Sequence, residues 1–160
     1  MSDSQPPLNS AESKADARVR PKASFADLFG PEEERVLEGR SILIVDDMED
    51  GRRLLGRLLA REGATVEVLS GGRAALARFE QEDARFDLVL MDVEMPDLDG
   101  RLTVSALRDV GVTTPIVALT AHREPGQIDR CLAAGFDDVT PKPIEVESFA
   151  ESCRRWIARG

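Results

Sequence analysis

The 160-residue chain has no tyrosine, one tryptophan and one histidine, and aromatic residues make up only 4% of it. So thin a supply argues against a flavin site, which needs aromatic rings flanking the cofactor. The two cysteines, Cys131 and Cys153, both fall in helix-like segments. A disulfide framework is therefore not expected, and both thiols read as small packing residues in a reduced, cytoplasmic setting. No apolar stretch approaches the roughly 18 residues that a membrane helix needs. The opening "MSDSQPPLNSAESKADARVR" has no apolar core of the kind a signal peptide carries. No membrane contact is expected. Cations are also short: 21 Lys and Arg stand against 30 Asp and Glu, for a formal net charge of -9 at pH 7. Gripping nucleic acid takes clustered Lys and Arg, so nucleic acid is not an expected partner.

What remains is 42% hydrophobic, enough for one core. Residues 1–40 read as a disordered or linker segment. The first 23 are polar, with Pro6, Pro7 and Pro21 and no apolar period. A short amphipathic helix is predicted near 24–38, from Ser24 as cap and Phe25, Leu28 and Phe29 at helical spacing. From Ser41 to the end the texture is that of a folded domain, 41–160. "SILIV", "ATVEVLS", "FDLVLMD", "TPIVALTA" and "DDVTP" read as strands. Between and after them lie segments of helical period. The first, "GRRLLGRLLAREG", sets Leu54, Leu55, Leu58 and Leu59 on one face, and the last carries Phe149, Cys153, Trp156 and Ile157. Strand–helix alternation of this kind predicts a parallel five-stranded α/β sheet with helices on both faces, flavodoxin-like, in the order 2-1-3-4-5. Pro141, which lacks a ladder donor, is tolerated because it falls in an edge strand.

In such sheets a ligand sits beyond the carboxyl ends of the strands, at the switch point between the first and third. The first strand delivers Asp46 and Asp47 to that edge, the third Asp92, the fourth Thr120 and the fifth Lys142. Taken singly, each has an ordinary structural explanation, such as capping the next helix. Together they make a pocket with a specific chemistry. Two carboxylates 4 Å apart repel by roughly 4 kcal/mol at an effective dielectric near 20, and a third adds to this. An all-oxygen donor set of this kind suits Mg²⁺, with Mn²⁺ able to substitute. A carboxylate beside such an ion can attack a phosphoryl group, with Thr120 and Lys142 placed to meet its oxygens.

Four segments in this order and spacing, "IVDD" at 44–47, "MDVEMPDLDG" at 91–100, "ALTA" at 118–121 and "KP" at 142–143, resemble the receiver domain of two-component response regulators. The resemblance covers residues 41 to about 158. It implies that Asp92 is the phosphoacceptor, taking a phosphoryl group from a sensor histidine kinase or histidine phosphotransfer protein. It implies that Asp47, Asp92 and the backbone carbonyl of Glu94 ligate Mg²⁺, with Asp46 acting through a metal-bound water. It further implies that Thr120 and Lys142 contact the phosphoryl group, that Lys142–Pro143 is cis, and that Glu94 and His122 tune the dephosphorylation rate. Met48, Gly51 and Leu54, three residues apart beside the acid pair, are candidates for docking a histidine-bearing helix; Leu54 can equally belong to the core. Gly100 has a backbone role at the entry to the third helix.

Many such domains carry an aromatic residue where this chain has Val139, so switching through that side chain is not expected here. After Lys142 the chain has room for one more helix, and no output domain is expected. A stand-alone domain and the end of a hybrid kinase remain open, as does the oligomeric state. The chain is not expected to be an enzyme beyond its own phosphorylation and dephosphorylation. A phosphohydrolase working through aspartyl phosphate is the alternative, with Glu94 as its second acid, but no length remains for a substrate-binding cap. A degenerate, unphosphorylated scaffold is disfavoured by the intact acids, Thr and Lys. An electron carrier on the same fold fails because "DDMEDG" after the first strand would repel a flavin phosphate.

Overall fold

The computed structural model describes residues 34–160; the expected disordered stretch 1–23 and the start of the helix near 24–38 lie outside the described residues. Strands and helices alternate: β1 (Ser41–Val45), α1 (Glu49–Arg61), β2 (Thr65–Leu69), α2 (Gly72–Phe79), β3 (Leu88–Asp92), α3 (Gly100–Asp109), β4 (Ile116–Thr120), α4 (Pro125–Ala134), β5 (Asp138–Pro141) and α5 (Val146–Arg159). All four strand pairings are parallel, and the order is β2-β1-β3-β4-β5, as the alternation predicts.

Side chains alternate across a strand, so each central strand feeds two cores. Ile42, Ile44, Leu88, Leu90, Val117 and Leu119 face α1 and α5, where Leu55, Leu59, Phe149, Cys153 and Trp156 meet them. Leu43, Val45, Val89, Met91, Ile116 and Ala118 face the opposite way, onto Ala75 of α2, Val104 and Leu107 of α3 and Cys131 of α4. This is why β3 and β4 read as unbroken apolar runs: every one of their residues is buried. Pro141 lies at the end of the edge strand β5, as expected. Among the described residues, no helix is long and apolar enough to cross a membrane.

Two expectations need correction. The described end of the predicted helix, residues 34–38, is not helical. It leads into a turn over residues 36–39, and Leu37 is fully buried in the α1/α5 core. The Leu37 N–H donates to the Glu62 carbonyl at 3.0 Å, and the Arg40 carbonyl accepts from the Thr65 N–H at 2.7 Å. Residues 34–40 therefore pack on the same body as residues 41–160. The second correction concerns α1. An apolar stripe about 100° wide cannot hold all four of its leucines. Leu55 and Leu59 fill it, Leu58 lies at its edge, and Leu54 turns outward at 59% exposure.

Candidate functional site

Register brings the acids together. Val45 of β1 stands opposite Met91 of β3, so the next residues, Asp46 and Asp92, leave neighbouring strands side by side. On the other flank Asp92 pairs with Leu119, and Thr120 follows one step on. The Thr120 carbonyl accepts the Lys142 N–H at 2.8 Å, which ties the residue after β5 to the same edge. Four strand ends thus deliver five side chains to the carboxyl edge of the sheet.

One carboxylate oxygen from each of Asp46, Asp47 and Asp92 lies within 4.8 Å of the others. Asp46 and Asp92 are buried, at 1% and 6% exposure, while Asp47 is half-buried. Lys142 is the cation among them. Its Nζ is 3.1 Å from Asp46 Oδ2 and 3.4 Å from Asp92 Oδ2. Burial works against the Lys142 charge, but the hydrogen bond it donates to Asp46 and the negative fields of Asp92 and Asp46 outweigh it and hold the ammonium above its ordinary value. Asp92 moves the other way. Burial pushes its carboxyl up to about 6, Lys142 opposes this, and the Asp46 charge adds to it. One ammonium does not balance three carboxylates. The donor set, all oxygen with two buried members and one reachable from water, fits a hard divalent ion such as Mg²⁺.

The surroundings fix these groups. Asp46 Oδ1 accepts the Met48 N–H at 2.9 Å, and the Asp46 carbonyl accepts from Arg52 Nη1 at 2.7 Å. Asp92 Oδ1 accepts the Glu94 N–H at 3.2 Å. Thr120, itself buried, has its hydroxyl oxygen accept the His122 N–H at 3.1 Å. Gly100 opens α3 directly against the end of β3: a Cβ there would collide with the Asp92 carbonyl oxygen and lie 2.9 Å from Val93 Cα. The backbone role expected of Gly100 is thus a close approach at the site. The Lys142–Pro143 bond is cis.

Asp46, Asp47, Asp92, Thr120 and Lys142 therefore share one edge, as the sequence pattern predicts. Glu94 and His122 follow two different strands, yet their side chains meet: His122 Nε2 contacts Glu94 Oε1, with Glu124 Oε2 3.7 Å from the other ring nitrogen. Positions two residues past two different strands carry no local signal of that meeting. Met48 and Leu54 are exposed at 61% and 59%. Gly51 faces inward instead, since a Cβ there would sit 3.1 Å from Asp46 Oδ2. Arg52, whose guanidinium holds the Asp46 carbonyl, carries no signal in the sequence, because an arginine on an amphipathic helix reads as solvated.

Comparison with known proteins agrees with this geometry. The family model of the response regulator receiver domain matches residues 42–154. The sensor protein GacS of Pseudomonas syringae pv. syringae is 38% identical over 143 residues, covering 86% of this chain but 15% of the kinase. The two-component response regulator ORR41 of Oryza sativa subsp. japonica is 39% identical over 110 residues, covering 68% of this chain and 87% of that protein. The chemotaxis protein CheY4 of Vibrio cholerae superposes with a TM-score of 0.67 at 32% identity, over 72% of this chain and 97% of that one. The chain thus spans a small fraction of the GacS kinase and most of the ORR41 and CheY4 chains. A match that runs from the first strand into the last helix, over a sheet of the same order, makes the chain a member of the response regulator receiver domain family of two-component signal transduction.

Proposed function

We propose that Asp92 is the phosphoacceptor of this receiver domain and that the transfer depends on Mg²⁺, for which Mn²⁺ can substitute. The observation that carries this reading is the position of Asp92, buried at the end of β3 within reach of Lys142 Nζ and of the Asp46 and Asp47 carboxylates. In the transfer, the phosphorus–nitrogen bond of a phosphohistidine donor breaks as a carboxylate oxygen of Asp92 bonds to phosphorus. Bound by Asp47, Asp92 and the Glu94 carbonyl, with Asp46 acting through water, Mg²⁺ would offset charge on the transferring oxygens. The chain's own groups do the rest. The Glu94 N–H orients one Asp92 oxygen. The Lys142 ammonium balances negative charge on the acceptor and then on the phosphoryl group. The Thr120 hydroxyl donates to a phosphoryl oxygen.

Kinases among the relatives support a sensor histidine kinase, or a histidine phosphotransfer protein, as the donor. The exposed Met48 and Leu54 flank the acid pair where such a donor would approach. Gly51 serves there by leaving room for Asp46. The chain modifies only its own carboxylate and does not turn over an external ester, because the Glu94 side chain is engaged with His122 rather than free as a second acid. Output does not run through an inward-turning aromatic, since Val139 occupies that place beside the α2–α4 core.

The test is Mg²⁺-dependent binding of beryllofluoride, followed by NMR on wild type and Asp92→Asn. Binding by wild type alone is expected. Equal binding by Asp92→Asn would sink the assignment of Asp92, and no binding by either would move the scaffold reading to the front.

A further inference from the structure

The β3–α3 loop, residues 93–99, is anchored to a helix that precedes it in the chain. Helix α2 starts without a cap of its own: Gly71, at its N-cap, has no side chain, and its first turn holds no acid. Its leading backbone donors are met instead from the loop. The Gly72 N–H donates to Asp97 Oδ1 at 3.3 Å, and the Arg73 N–H donates to Asp97 Oδ2 at 3.1 Å. Desolvation raises the exposed Asp97 carboxyl, but these bonds, with those from the Leu98 and Asp97 N–H groups, outweigh it and hold the carboxyl below the usual carboxylate range.

The approach is close enough to need both glycines. A Cβ at Gly71 would stand 2.5 Å from Asp97 Oδ2, and one at Gly72 would overlap Thr103 Oγ1 of α3. The far end of the loop is also tied. Asp99 Oδ1 caps α3 by accepting the Arg101 N–H at 2.8 Å, and the Gly100 N–H donates to the Val93 carbonyl at 2.8 Å. Between these ties lies Glu94, whose N–H orients Asp92. Its carbonyl is the metal ligand in the function proposed above.

We propose that Asp97 is a positioning residue for the metal site: by capping α2 with both carboxylate oxygens, it fixes the loop that presents the Glu94 backbone to Asp92 and Mg²⁺. This rests on the Mg²⁺ reading of the site. Groups that orient a ligand without touching the metal typically affect affinity about 10- to 100-fold. Asp97 acts through one ligand of several and sets the lower end of that range.

The test is titration of the full chain with Mg²⁺ alone, followed by the backbone amide shifts of Glu94 and Lys142. Four proteins are compared: wild type, Asp97→Ala, Asp97→Asn and the double variant Asp97→Ala/Gly71→Ser. Serine at position 71 supplies α2 with a local cap, and the atoms that crowd that position belong to the carboxylate that Asp97→Ala removes. The double variant therefore restores the helix cap without the tether to the loop. Asp97→Ala should weaken Mg²⁺ binding roughly tenfold. The double variant should recover thermal stability but not affinity. Asp97→Asn keeps a capping oxygen without the charge and should stay within about twofold of wild type. Wild-type affinity in Asp97→Ala, or recovered affinity in the double variant, would overturn the proposal and leave the Mg²⁺ reading standing. Asp97→Asn as weak as Asp97→Ala would overturn it in favour of a simple charge effect. Failure of wild type to bind Mg²⁺ would overturn the Mg²⁺ reading itself, and the proposal with it.

Discussion

The two edges of the sheet use the same side chain in opposite ways. At the amino edge, each carboxylate is spent on a structural partner. Asp137 Oδ2 accepts from Arg108 Nη2 at 2.7 Å and from the Ile116 N–H at 2.8 Å, and Asp87 Oδ2 accepts the Ser41 N–H at 2.8 Å. Arg108 completes that edge by donating to the carbonyls of Gly135, Val112 and Thr114. At the carboxyl edge, three carboxylates crowd together and one lysine reaches two of them, and burial pushes the Asp92 carboxyl up to about 6. Charges matched one to one stabilise a fold. Charges left in excess and partly buried cost stability, and they make a place for a cation and a phosphoryl group.

Substitutions at the two edges should separate these roles. The largest effect is expected from Arg108→Ala, which leaves three carbonyls and Asp137 without their donor. It should destabilise by about 3 kcal/mol in urea unfolding and leave beryllofluoride binding at residual folded protein intact. A loss below about 1 kcal/mol would mean that water replaces the guanidinium freely, and the amino edge would not be the structural one.

Next comes Asp92→Asn, where the sign reverses. A carboxyl whose folded value is about 6 sits above its unfolded value near 4. Below pH 4 both states are protonated and the burial of charge costs nothing. Between about 4 and 6 the unfolded chain releases its proton first, so wild-type stability falls as pH rises; above 6 the deficit is constant. In metal-free buffer at pH 7, Asp92→Asn should therefore be more stable than wild type by about 1–3 kcal/mol, and the two should converge near pH 4. Parallel stability curves would show that Asp92 ionises without strain. Adding Mg²⁺ should stabilise wild type by an amount that rises with the logarithm of its concentration above the dissociation constant.

The smallest effect is expected from the mirror substitution Asp137→Asn. An amide oxygen in the place of Oδ2 can accept both bonds but without the charge, and a loss of about 1 kcal/mol is expected by thermal unfolding. A gain instead would erase the contrast between the edges.

The helix-borne leucines and the loop acids show how far local pattern reaches. Alternation of strands and helices, the sheet order and the strand ends carrying Asp46, Asp47, Asp92, Thr120 and Lys142 are all legible in the chain. Each follows from periodicity of 2 or 3.6 and from connectivity, which are properties of neighbouring residues. Leu37 shows where this stops, since one leucine in a charged stretch has no period to announce it, and only packing against α1 buries it.

Tertiary structure alone decided the rest. Lys142 reaches Asp46 across 96 residues, and Asp97 caps a helix 24 to 25 residues before it. Glu94 and His122 meet over the site from two different loops. Such contacts depend on strand register and on where helices seat against the sheet, and shifts of one residue or a few ångströms would break them. The order of residue types along the chain determined which groups arrive at the carboxyl edge, because alternation and connectivity are local. Which of those groups touch, and which are left short of a counter-charge, was set only when the strands aligned and buried them.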